Sequence, residues 1–184
     1  MKVYFMASPR SVEKDPKLYE MIYFLLKKNN KIVDTFIMKW IKDGFSKMSE
    51  YSEAVSRVRK SDVVVVEVSG HSMSLGYLVG KALEMNKPVI ALYQEGNKLL
   101  FLKWMKNDKL VFCPYNKKNI SNVLNMALKK VEKMIDVRFN FFVSPSIVNY
   151  LDWIASKKML PRSVFLRNLI EKEIKKDKEY ANSI

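Results

Sequence analysis

The residues best placed to do chemistry gather around one short stretch, GHSMSLGYLVG at 70–80, which follows the apolar run DVVVVEVS at 62–69. His71, the chain's only histidine, sits in the turn and could contact a ligand or move a proton near neutral pH, although no orienting partner is evident beside it. Glu67, inside the apolar run, is a carboxylate beside this stretch that could in principle serve as acid, base or nucleophile. Placed within a buried strand, Glu67 reads first as a structural hydrogen-bonding group. A second turn, ASPRS at 7–11, closes the first apolar segment. Where the first loop ought to present a reacting group it offers Leu78 and Val79. No His/Cys/Asp cluster at metal spacing, Walker A motif or GxGxxG is present, so neither metal nor cofactor is expected.

These turns need strands and helices to hold them. Apolar segments at 2–8, 31–38, 62–69, 88–94 and 109–115 read as strands, the third nearly continuous in β-branched residues, as a strand covered on both faces should be. Helical spacing marks 16–30, with Leu18, Met21, Ile22, Leu25 and Leu26 on one side, then 48–61 opening on Ser49, 74–86, 97–106 and 118–135. Strands alternating with helices of this length imply a parallel sheet with right-handed crossovers. Ligands then bind beyond the carboxyl ends of the strands, where ASPRS and GHSMSLG both lie.

Near residue 137 the pattern changes. RFNFFVSPS alternates as one isolated strand, and Ser144-Pro145 opens a helix to about 158 that buries Ile147, Leu151, Ile154 and Ala155. MLPRS breaks it, and a second helix from about 161 to 176 carries Phe165, Leu166, Leu169 and Ile170 as its apolar stripe. A lone strand and two helices cannot close a core, so this segment needs a partner, most simply a second copy pairing strand to strand. Two domains are expected, 1–136 and 137–184.

The chain of 184 residues is 48% apolar, enough for a substantial core, and no apolar run approaches the roughly 20 residues of a membrane span. The N-terminal MKVYFMASPR lacks a signal-peptide apolar region, and the single cysteine, Cys113, rules out an intramolecular disulfide; a cytoplasmic location is expected. A net charge of +14 points to an anionic partner, but nine basic and five acidic residues in 137–184 leave the surplus spread along the chain.

The pair RFNFFVSPSIVNYL and LPRSVFLRNLIEKEI resembles the ribbon-helix-helix repressors of the Arc/MetJ class over roughly 137–177. The resemblance implies a homodimer whose antiparallel ribbon enters the major groove of double-stranded DNA with Arg138, Asn140 and Phe142 facing the bases. Arg suits guanine, Asn suits adenine, and Phe142, which departs from the usual polar choice, can touch a thymine methyl. Arg162 and Ser163, at the second helix start, would meet a phosphate.

VYFMASPRS at 3–11 and the segment 61–92 resemble the nucleoside 2-deoxyribosyltransferase family, nearest its 2′-deoxynucleoside 5′-monophosphate N-glycosidases. That family's loop-helix reads like SLGVGYELG, and its Glu attacks C1′ of the deoxyribose to form a glycosyl-enzyme. The resemblance places that nucleophile at Leu78 and the family's second carboxylate at Ala54, beside Glu53. It assigns ligand contacts to Ser8, Arg10, Ser72, which would meet the 5′-phosphate, and Gly76. The combined expectation is a flavodoxin- or Rossmann-like α/β domain with a five-stranded parallel sheet and flanking helices, followed by a ribbon-helix-helix. It would act as a DNA-binding regulator sensing a nucleotide through a domain without its catalytic residues. A divergent N-glycosidase or deoxyribosyltransferase using Glu53, Glu67 or His71 is the alternative, and a purely structural oligomer a third reading.

Overall fold

The computed structural model describes residues 1–28, 32–44, 50–70, 72–97, 105–135 and 140–181. The chain divides into two compact units, Met1–Val137 and Arg138–Ile184.

The first unit is an α/β sandwich. Its strands are β1 (Lys2–Met6), β2 (Ile32–Asp34), β3 (Val63–Glu67), β4 (Val89–Gln94) and β5 (Leu110–Tyr115). They form a five-stranded sheet in the order β2-β1-β3-β4-β5. Every pair is parallel, with Val3 opposite Val63 and Val64 opposite Val89. The helices between them are α1 (Pro9–Lys14), α2 (Pro16–Lys27), α3 (Ile37–Asp43), α4 (Glu50–Lys60), α5 (Met73–Glu84) and α6 (Ile120–Glu132). This is the doubly wound α/β architecture, in which the strand order reverses between β1 and β3 and leaves a crevice at their carboxyl ends.

Two apolar layers follow from the two-residue period of the strands. Val63 and Val65 of β3 join Phe5, Ile90 and Leu92 against Ile22 and Leu26 of α2 and Leu124 and Leu128 of α6. Val64 and Val66 face the other way, with Met6 and Ala91, onto Ala54 and Val58 of α4 and Leu78, Val79 and Ala82 of α5. β3 is buried along its whole length, so a polar substitution at any of its valines would be left without water.

Three local differences from the sequence reading have physical causes. β2 ends at Asp34 rather than running through 38. The Thr35 hydroxyl donates to the Phe5 carbonyl at 2.9 Å and accepts from the Ile37 N–H at 3.1 Å, which turns the chain out of the ladder and starts α3. Residues 9–14, read as loop, form α1, because Pro9 presets the first turn and the Ser8 carbonyl accepts from the N–H groups of Ser11 and Val12. The helix expected over 97–106 and the Ser49 cap fall largely outside the described residues, and Asn97 and 105–107 at its margins are not helical.

The second unit contains α7 (Pro145–Lys158), α8 (Arg162–Lys176) and the short α9 (Lys178–Ala181). Ser144 and Pro145 start α7 as the sequence implies, and Met159 ends it in a left-handed conformation at φ 51°. Of the residues expected to be buried, Leu151 and Ile154 are, whereas Ile147 and Ile170 stand exposed. Among the described residues of this unit, nothing covers the outer apolar stripes of α7 and α8. The expected ribbon is not formed in this single chain: 140–144 carries no strand, and 136–139 lies outside the described residues.

Candidate functional site

A cavity of about 210 Å³ lies beside the carboxyl end of β1, on the α4–α5 face of the sheet. Its walls come from Tyr4, Met6 and Ala7 of β1 and its exit, Phe36, Ile37 and Trp40 at the start of α3, Ala54 of α4, and Ser72, Ser74, Leu75 and Leu78 of α5. Leu78 and Ala54, one turn from the helix start and mid-helix respectively, thus meet in the same space although 24 residues separate them. The described lining holds no carboxylate, histidine or cation. Its aromatic wall is ordered, with the Phe36 and Trp40 rings stacked at 6.1 Å and 14°.

Of the four residues expected to meet a ligand, the structure brings Ser72 to this cavity and leaves the others off its lining. Ser72 caps α5, its Oγ accepting from the Leu75 N–H at 3.4 Å. Ser72, Ser74 and Leu75 at the start of α5 line the cavity, and the positive end of the helix dipole lies at that end of the helix. Gly76 lies in the second turn, its N–H spent on the Ser72 carbonyl. Ser8 is buried at the β1–α1 turn, and Arg10 projects from α1 into solvent. His71 lies outside the described residues.

Sequence reasoning missed a charged cluster at the cavity's edge. The Arg57 guanidinium sits 4.0 Å from the Phe36 ring centroid, pairs with Asp34 and reaches Glu53 at 3.5 Å. Glu53, a rescue candidate for chemistry, is thereby turned toward Arg57, and its side chain is more than half exposed. Asp34 at the carboxyl end of a strand was the available signal, hidden by reading 31–38 as one strand.

Glu67, the other candidate, faces the opposite side of the sheet. Only 1% exposed, its carboxylate accepts from Tyr19 Oη at 2.7 Å, Tyr115 Oη at 3.1 Å, the Ser69 N–H at 3.2 Å and the Ser69 hydroxyl. A carboxylate so satisfied is part of the frame, and the structural role expected of it holds. Burial, reinforced by the nearby Glu67 charge, pushes both tyrosine hydroxyls well above their ordinary range. Burial alone raises the Cys113 thiol to about 11, so it stays protonated and inert at neutral pH.

In the second unit Asn140 and Phe142 are exposed, Arg162 pairs with Asp152, and Ser163 is exposed in the first turn of α8. Arg138 lies outside the described residues. No helix among the described residues is long and apolar enough to cross a membrane, and they hold no cluster of three potential metal ligands.

Comparison with known proteins places the first unit's fold and narrows its relations. No protein-family model matches the chain. It is 29% identical over 106 residues to a 5-hydroxymethyl-dUMP N-hydrolase of Tetraodon nigroviridis, covering 51% of this chain and 70% of that protein. A candidate 2′-deoxynucleoside 5′-phosphate N-hydrolase of Nematostella vectensis is 28% identical over 156 residues, covering 78% of this chain and 95% of its own. Among solved structures, the CMP N-glycosidase BcmB of Clostridium botulinum superposes with a TM-score of 0.52 at 18% identity, over 70% of this chain and 99% of that one. The chain therefore contains an α/β domain with an all-parallel five-stranded sheet, which shares its fold with that N-glycosidase and is similar in sequence to nucleotide N-hydrolases.

Proposed function

We propose that the first unit binds a deoxynucleoside 5′-monophosphate, with the sugar and base against the Leu78 cavity and the phosphate at the start of α5. One observation carries this reading: Leu78 and Ala54, the two positions that the family resemblance assigns to carboxylates, line one cavity together with Ser72, the position it assigns to the phosphate. The relatives' names, which specify deoxynucleotide substrates, support the ligand class. At about 210 Å³ the cavity is smaller than the roughly 300–1,000 Å³ of drug-sized sites, which suits part of a nucleotide with its charged end outside. The stacked Phe36–Trp40 wall offers a surface for a planar base. Calorimetric titration with deoxynucleosides and their 5′-monophosphates tests it; absence of heat with all of them would reject the site.

Hydrolysis of the N-glycosidic bond is the second reading, and the relatives favour it over any role in DNA binding. A leucine cannot attack C1′ or neutralise an oxocarbenium-like centre, so hydrolysis here requires another group, such as Glu53 after release from Arg57, or His71. Incubation with the same ligands followed by chromatography for free base separates binding from turnover. Base release that disappears in Glu53→Gln or His71→Asn would replace the binding reading.

The regulator reading rests on the second unit alone. Its support is the cap-and-proline start of α7, the exposed apolar stripes of α7 and α8, and the chain's basic surplus. Under it, two chains pair through 137–143 and present Arg138, Asn140 and Phe142 to DNA, and ligand binding in the first unit shifts the dimer's affinity only if the ligand prefers one arrangement. Sedimentation of the full chain and operator titrations with and without nucleotide test it. A monomer at tens of micromolar would reject this reading.

A further inference from the structure

A set of side-chain contacts on the sheet's other face reaches the two turns that border the crevice. Glu67 holds Ser69 through both its N–H and its hydroxyl, and the Ser69 hydroxyl accepts in turn from the Gln94 N–H at 2.8 Å. Glu67 also accepts from Tyr19 on α2. The two turns meet at Gly70, whose backbone lies so close to Ser11 that a Cβ there would displace the Ser11 hydroxyl.

Gly70 lies against Ser11 and Ser8 with no side chain of its own between the turns, and the Ser69 hydroxyl both donates to Glu67 and accepts from β4. The turn leading to Ser72 is therefore tied at one end to the frame and at its next residue to the neighbouring turn. A buried carboxylate with four donors is a costly feature to keep for stability alone, since replacing buried polar sets by apolar ones is often neutral.

Resting on the nucleotide reading above, we infer that the run of contacts from Glu67 through Ser69 and Gly70 to Ser11 is a positioning device that sets where the start of α5, and with it Ser72, stands for the phosphate. Its residues touch no ligand. They fix the direction of the N–H groups that do, by holding the β3–α5 turn to the β1–α1 turn.

Ser69→Ala cuts the link while Glu67 keeps Tyr19, Tyr115 and the 69 N–H; Ser69→Thr keeps the hydroxyl. Two readouts apply to the full-length protein. The first is hydrogen exchange without ligand: Ser69→Ala should speed exchange at 70–76 and 8–12 by tenfold or more, with α6 unchanged and Ser69→Thr like wild type. Unchanged exchange at 70–76 overturns the inference. The second is the affinity ratio of deoxyuridine 5′-monophosphate to deoxyuridine: it should fall about tenfold in Ser69→Ala and return in Ser69→Thr. Equal weakening of both ligands overturns positioning in favour of a general loss of structure. If wild type binds neither ligand, the nucleotide reading fails by itself, and the exchange data alone uphold or overturn the coupling of the two turns.

Discussion

Filling the cavity from its own wall separates ligand space from packing defect. Leu78 is 5% exposed and borders a void of about 210 Å³, room for about seven waters at roughly 30 Å³ each. Leu78→Phe adds about three carbon atoms, and at ~0.8 kcal/mol per buried methylene that is about 2 kcal/mol of favourable burial. Enlarging a tightly packed core residue ordinarily costs about 1–3 kcal/mol, because neighbours must leave their rotamers. The cavity takes up only part of the added ring, so residual strain at its wall is set against the burial gain, and stability should stay within about 1 kcal/mol of wild type, a few degrees in Tm. Binding should not survive, since the ring occupies the space a base or sugar needs; a loss of at least 30-fold, about 2 kcal/mol, is expected. Thermal unfolding and calorimetry with the same deoxynucleoside monophosphates measure both. Leu78→Ala is the control, expected to cost about 2–5 kcal/mol with the cavity enlarged rather than filled. A Phe variant that binds as wild type does would place the ligand elsewhere. One that melts more than about 8 °C lower would show that the void is not open to side chain 78.

Ser72→Ala should cost about 1 kcal/mol of stability through the lost cap of α5 and should weaken the 5′-monophosphate more than the parent nucleoside, as paired calorimetric titrations would show. Alkaline pH should destabilise the fold in a defined sense. Tyr19 and Tyr115 have folded pKa values raised above their ordinary 10.0, so their contribution is complete below pH 10 and is lost above it, as the unfolded chain gives up its protons first. Cys113, raised from 9.0 to about 11, adds the same sign between those values; urea midpoints followed from pH 8 to 11 should fall beyond about 9, and a flat profile would contradict the buried network. On the regulator reading, Arg138→Ala and Asn140→Ala should each weaken specific DNA binding by about 1–3 kcal/mol without dissociating the dimer, measured by operator titration and sedimentation.

The parallel sheet was legible because its signals are local and redundant. Four consecutive valines in β3 can be satisfied only by cover on both faces, and β1 and β4 repeat the message on either side of it. The opening of α5 was legible for the same reason, since Ser72 followed by an apolar helical stripe is a cap and a buried face at once. The cavity's aromatic wall was not, because it depends on one hydroxyl. Thr35 is an ordinary strand residue until its side chain accepts from the Ile37 N–H and donates to the Phe5 carbonyl, the latter 30 residues away and beyond any local window of sequence. Those two bonds turn Phe36, Ile37 and Trp40 from the tail of a strand into the side of a pocket and leave Asp34 free to hold Arg57. The second unit was hard to read for a different reason. Its helices were visible from capping and period, but Ile147, Leu169 and Ile170 stay exposed, with no second layer over them among the described residues of that unit. Sequence pattern reports that a face is apolar; only the arrangement of a second layer decides whether that face is core or interface. In the first unit that layer is present on both sides of the sheet, which is why a space lined by Leu78 and Ala54 can be argued as a site at all.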